Sequence, residues 1–285
     1  MLTRRGFLAA TAAAAAVAEP KYRLEIGVMD GVVGKPGSPD AVALAKSFGL
    51  AGLQVTLGQP KDGALPLEDL ALESRFIAES KRLGVPLDAT YIDVLHVNCL
   101  KSDPLAPKWV SRGIEITKRL NARILMTVFF GKCSVLNRQE ADTVASLFKE
   151  LAPEAEKAGV ILGFENLLTA EESARVLDRV GSRALQVYYD VGNATNMVKV
   201  DAPREIRWLG RARICQFHFK DKGYLGQGQV SFAAVLRAIR DIGFTGYANL
   251  ETSAPSGAME ADLRRNVEYL RGAMYALDNT IIRDK

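Results

Sequence analysis

Four short stretches of this chain place a residue able to bind a cation at or near the end of an otherwise apolar run. They are "VILGFEN" with Glu165, "LQVYYDVGN" with Asp190, "RICQFHFKD" with His218 and "YANLET" with Glu251. His218 is one of only two histidines, the other being His96. An unpaired charge in apolar surroundings is costly, and one shared divalent ion offsets that cost for all four side chains. Taken singly, each has a plain reading. A strand histidine is a satisfied core or surface group, and a strand-terminal acid is a helix cap or a solvated end. The conjunction favours the cation. Three carboxylates and one imidazole are mostly hard donors, suited to Mn²⁺, Mg²⁺, Fe²⁺ or Co²⁺ rather than to a structural zinc site. One ion per chain is expected, Mn²⁺ first, with Zn²⁺ also compatible. Lys220 shares the alternation parity of Gln216 and His218, so it should face the same way. As a catalytic candidate it would be an electrophile, an anchor for a substrate oxygen or a Schiff-base lysine. Its plain reading is a salt bridge to a neighbouring carboxylate.

The elements that must position these residues form a repeat. Eight β-rich runs begin near residues 24, 52, 86, 123, 160, 185, 213 and 247. Amphipathic segments separate them, such as the stripes Val144, Leu147, Phe148, Leu151 and Phe232, Val235, Leu236, Ile239. That spacing predicts helices. The joints "SFGLAGLQV", "RLGVPLDA", "RLNARILM", "KAGVILGF" and "DIGFTGYANL" all put Gly or Asn where a helix should stop. Eight strands alternating with helices predict an α/β fold, a single (β/α)8 TIM barrel over residues 19–285. A doubly wound open sheet is the alternative, but "VMDGVVGKPGS" after the first strand lacks its phosphate fingerprint. In a barrel the four candidate ligands fall on strands five to eight, at the end where active sites form.

The sequence is 48% apolar and 25% charged, which is ordinary for a chain with one large core. Its net charge is only +4, which gives no case for a nucleic-acid partner. Three cysteines, Cys99, Cys133 and Cys215, have no metal-type spacing. They predict neither a disulfide framework nor a zinc cluster. Residues 1–18 read as an export signal. Arg4 and Arg5 are followed by a short alanine-rich stretch and Ala16-Val17-Ala18, a small-x-small cleavage site. This resembles the twin-arginine signal and predicts export, folded, to the periplasm. The stretch is too short for a membrane span, and none is expected in the mature chain.

Glu165 in "GFEN", Asp190 in "YYDVGN", His218 in "FHFKD" and Glu251 in "NLET" resemble the Glu-Asp-His-Glu metal set of the xylose isomerase-like TIM barrels. That superfamily includes D-tagatose and D-psicose 3-epimerases, hydroxypyruvate isomerase, inosose dehydratase and endonuclease IV. The resemblance covers the whole chain after residue 19. It implies a metal-dependent isomerase or epimerase acting on a sugar or polyol-derived carbonyl through an enediolate. Glu165 and Glu251 would be the facing acid–base pair, with Asp190 and His218 mainly holding the ion. It also implies a small carbohydrate substrate and a homodimer or homotetramer. Two departures mark the substrate side. Asn193 stands where the ketose 3-epimerases have a histidine three residues after the metal aspartate, and "HFKDKGYLG" has no arginine. Endonuclease IV needs a histidine-rich trinuclear site that two histidines cannot build.

Two alternative functions share these residues. One is a lyase or dehydratase on a keto-sugar or keto-glycoside; the other is a non-catalytic periplasmic carbohydrate-binding barrel. Candidate substrate contacts are Asn193, His96 after the third strand, and Phe130 and Lys132 in "FFGKC" after the fourth. His96 also reads as an ordinary loop histidine. The glycines of "GYLGQGQVSF" suggest a phosphate loop or, more plainly, a turn before a helix capped by Ser231.

Overall fold

The computed structural model describes residues 22–60 and 63–283. Residues 1–18, read above as an export signal, lie outside the described residues. Eight parallel strands close into a barrel in the order β1 to β8. They are β1 (Arg23–Met29), β2 (Gly52–Thr56), β3 (Leu87–Tyr91), β4 (Ile124–Val128), β5 (Ile161–Glu165), β6 (Leu185–Asp190), β7 (Ile214–Phe219) and β8 (Thr245–Leu250). β1 pairs with β8 from Arg23↔Thr245 to Val28↔Leu250, which closes the ring. The eight predicted runs all become strands.

Around the barrel lie α1 (Asp40–Ser47), α2 (Leu70–Leu83), α3 (Ala106–Arg119), α4 (Arg138–Ala158), α5 (Ala170–Val180), α6 (Ala202–Leu209), α7 (Phe232–Asp241) and α8 (Met259–Arg283). Their apolar stripes meet the outer faces of the strands in one continuous core. The five Gly/Asn joints have one physical cause. Gly49, Gly84, Asn121, Gly159 and Gly243 all adopt φ between 59° and 72°, the left-handed turn that stops a helix and that Gly and Asn enter most easily. At the other end, Asn137 and Thr169 accept from the backbone N–H of Glu140 and Glu172 to start α4 and α5.

Two expectations are corrected. Cys99 and Cys133 form a disulfide, with Cα atoms 4.9 Å apart. They sit in the loops after β3 and β4, which are neighbours in the closed ring, so 34 residues of sequence separation hide a spatial contact. Ser231 does occupy the position before α7, but its side chain makes no capping bond. The carboxylate of Asp221 organises that loop instead, accepting from Lys222, Gly228 and Gln229 backbone N–H at 2.8–3.2 Å. No described helix is long and apolar enough to cross a membrane.

Candidate metal centre

The barrel brings the four predicted residues together. Glu165 is the last residue of β5, Asp190 the last of β6, His218 the last but one of β7, and Glu251 the first residue beyond β8. Register holds them level, with Asp190 opposite His218 across β6 and β7. One donor atom from each lies within 4.8 Å of the others. Glu165, Asp190 and His218 are buried, while Glu251 is partly open to solvent.

His218 Nδ1 lies 2.9 Å from Glu165 Oε1 and 3.2 Å from Glu251 Oε2. Burial by itself would lower the imidazole pKa, but these two carboxylates hold it up to about 10. Lys220 also points into the cluster, its Nζ 2.7 Å from both Asp190 Oδ2 and Glu251 Oε2. Among the described residues Asp190 Oδ2 has no well-directed hydrogen-bond donor, only that ion pair. Burial raises the Asp190 carboxyl above its usual range; the Lys220 charge acts against this. The Glu251 carboxyl is held well below the usual range, because the charges of His218 and Lys220 outweigh its burial. These acids therefore converge on a point where positive charge is required, and the protein supplies a proton on the ring and an ammonium there. A divalent ion answers the same need. Four donor atoms at this spacing, from three carboxylates and one imidazole, fit a hard cation.

The candidate substrate residues divide. Asn193 is buried and donates its backbone N–H to Asp190 Oδ1 at 2.9 Å, which fixes that carboxylate. Its side-chain Nδ2 has no hydrogen-bond partner among the described residues. His96 and Lys132 are exposed. His96 stacks on Phe130 with centroids 6.0 Å apart, beside the disulfide that joins their loops. Neither touches the four acid and imidazole groups in any described contact.

Sequence reasoning missed the layer beneath the cluster. Gln54, Asp88, Tyr188, Gln216 and Asn249 are buried inside the barrel and bonded to one another. A signal was available. Tyr188, Gln216 and Asn249 each precede a candidate ligand by two residues, so alternation puts them on the same inward face. A cavity of about 460 Å³ lies at the opposite, N-terminal end of the strands, against Asp88 and Gln216, and is not the candidate centre.

Residues 42–273 match the family described as Xylose isomerase-like TIM barrel. The chain belongs to that family. A curated relative, the 2-epi-5-epi-valiolone 7-phosphate 2-epimerase of an Actinoplanes species, is 25% identical over 216 residues, covering 72% of this chain and 78% of the relative. Among solved structures, L-ribulose 3-epimerase superposes with a TM-score of 0.76 at 17% identity, covering 92% of this chain and 98% of that one. The 3-keto-D-glucoside 4-epimerase of E. coli gives 0.72 at 16% identity, with 88% and 100% covered. At these identities the two structures establish the shared fold.

Proposed function

We propose that this protein is a divalent-metal-dependent sugar isomerase or epimerase. One observation carries the reading: Glu165, Asp190, His218 and Glu251 converge from four consecutive strand ends with donor atoms within 4.8 Å. Three relatives named as epimerases support it. The four side chains would hold one cation, with Mn²⁺ the first choice. When bound, that ion supplies positive charge that stabilises negative charge developing on a substrate carbonyl oxygen. The chain's own groups do the proton work. Glu165 and Glu251 are the two carboxylates placed to remove a proton beside the carbonyl and return one. Lys220 adds a fixed positive charge at the same point. Asp190 is locked by the Asn193 backbone, so it orients rather than exchanges protons.

The test is solvent exchange. Purified protein with Mn²⁺ is incubated in D₂O with ketoses, inososes and keto-glycosides, and deuterium uptake at carbon is followed. Uptake with an epimeric product supports the proposal; uptake with loss of water points to the dehydratase. No uptake on any substrate, with the ion bound, leaves a binding barrel.

We also propose export by the twin-arginine route. The Cys99–Cys133 disulfide supports an oxidising destination. The earlier expectation of a chain without disulfides gives way to one whose bond can close after export, between loops already adjacent in the folded barrel. Changing Arg4 and Arg5 to Lys should retain the protein in the cytoplasm; normal export of that variant overturns this.

A further inference from the structure

The buried polar layer under the cluster has forced hydrogen-bond directions. Asp88 Oδ1 accepts at 2.7 Å from both Gln216 and Asn249, which fixes the amide orientation of each. Asn249 Nδ2 then donates to Gln54 Oε1 at 3.2 Å. Gln216 Nε2 meets the Tyr188 hydroxyl at 3.1 Å, and that hydroxyl donates to Gln54 Oε1 at 3.1 Å. The other end of the Gln54 amide donates to Met126 Sδ at 3.4 Å, and a thioether can only accept. The Gln54 oxygen therefore faces His218. It lies 2.8 Å from Nε2 and cannot donate, so Nε2 must carry a hydrogen. Nδ1 is left facing Glu165 and Glu251.

We propose that Gln54, oriented by Asp88 through Asn249, is a positioning residue that holds His218 as the Nε2–H tautomer and reserves Nδ1 for the cation. The proposal rests on the metal reading above and adds which nitrogen binds and what selects it. Asp88 is the second residue of β3, near the opposite end of the strands from the cluster. A carboxylate at one end of the barrel thus sets the ligand atom presented at the other. The requirement is chemical. A ring that is free to exchange tautomers presents its lone pair at Nδ1 only part of the time. An acceptor bonded to the distal nitrogen removes that loss and increases ligand basicity.

The test uses ¹⁵N-histidine protein and ¹¹³Cd²⁺ as the probe. Only two histidines contribute signals, and His96→Gln assigns them. In the native chain, Nδ1 of His218 should couple to cadmium and Nε2 should show a bonded, exchange-protected proton. Gln54→Leu removes the acceptor at similar volume. It should lose the protected proton, mix or invert the ligating nitrogen, and weaken Cd²⁺ binding by about 10- to 100-fold. Gln54→Glu, which still accepts, should restore both signatures. Asp88→Asn supplies a second variant that frees the Asn249 amide to turn, and should shift the pattern in the direction of Gln54→Leu. Ligation through Nε2 in the native chain, or Nδ1 ligation at native affinity in Gln54→Leu, overturns the proposal. If the native chain takes up no Cd²⁺ or Mn²⁺, the metal reading fails instead. The positioning claim is then decided on metal-free protein at a pH high enough to leave the His218 ring neutral, where a protected Nε2–H that persists in Gln54→Leu overturns it.

Discussion

Lys220 Nζ stands 2.7 Å from Asp190 Oδ2, across the gap between β7 and β6, and the same distance from Glu251 Oε2. Burial works against the ammonium, but Asp190 and Glu251 hold its pKa above the usual lysine range. A lysine kept protonated this firmly is a poor nucleophile, which argues against the Schiff-base role. The electrophile, anchor and salt-bridge readings are compatible with one geometry. It is salt-bridged, and its partners are the acids of the candidate centre.

Lys220→Met should therefore have two effects. Proton exchange into substrate should fall on the order of 10²-fold if the ammonium faces a developing oxyanion. Cation affinity should rise, because a competing charge has left Asp190 and Glu251. Exchange rate and Mn²⁺ titration on the same preparation check both. Unchanged exchange reduces Lys220 to a counter-ion.

Cation uptake should depend on pH with a definite sign. His218 is held up to about 10, so without an ion it is an imidazolium at neutral pH. Ligation at Nδ1 must release that proton, so affinity should increase about tenfold per pH unit below that value. Titration in buffers of different ionisation enthalpy should show about one proton released above the raised range of the Asp190 carboxyl, and more below it. The stability of metal-free protein runs the other way. Its folded-state pKa is raised, so the stabilisation is full below 6.5 and is lost as pH rises to about 10. Asp88, raised by burial from 3.8 to about 7, adds a loss of the same sign at lower pH. An affinity independent of pH contradicts this charge assignment.

The barrel and the four converging residues were legible because both follow from local pattern. Strand runs, helix stripes and the left-handed joints at Gly84, Asn121 or Gly159 are written within a few residues of one another. The alternation of Gln216, His218 and Lys220 was enough to aim Lys220 correctly. Two kinds of feature were not local. The Cys99–Cys133 bond depends on the closeness of two loops that only ring closure supplies. The Asp88–Asn249–Gln54–His218 chain draws on four strands, and a glutamine in "GLQVT" looks like any other half-buried strand residue.

The disulfide should contribute to stability chiefly through the unfolded chain. A loop of this length corresponds to about 3–4 kcal/mol in the chain-entropy treatment. Cys99→Ser with Cys133→Ser should lower the urea midpoint and steepen the slope, because the unfolded chain without its cross-link exposes more surface. It should also loosen the His96–Phe130 stack that the bond holds together. Reducing agent should reproduce the loss in the native chain and do nothing to the double variant. Equal midpoints for both proteins contradict the staple.

The glycines of residues 223–228 have a local cause that bears on the substrate. Asp221 accepts from the backbone N–H groups of Lys222, Gly228 and Gln229, and a side chain at Gly228 would overlap its carboxylate. Backbone N–H groups converging on one anion are the arrangement that elsewhere cradles phosphate. Here they are already bonded to the chain's own carboxylate, whose charge also opposes a second anion. Free sugars should therefore be turned over in preference to sugar phosphates, in contrast to the 7-phosphate named for the Actinoplanes relative. Gly228→Ala should destabilise by about 1–3 kcal/mol, the usual cost of overpacking. Asp221→Ala should open the amides, so inorganic phosphate should raise its melting temperature. Asp221→Asn keeps an accepting oxygen in place and should gain little. Phosphate protection of the native chain, with amide shifts at Gly228 and Gln229, would place a working anion site in this loop and reverse the substrate assignment.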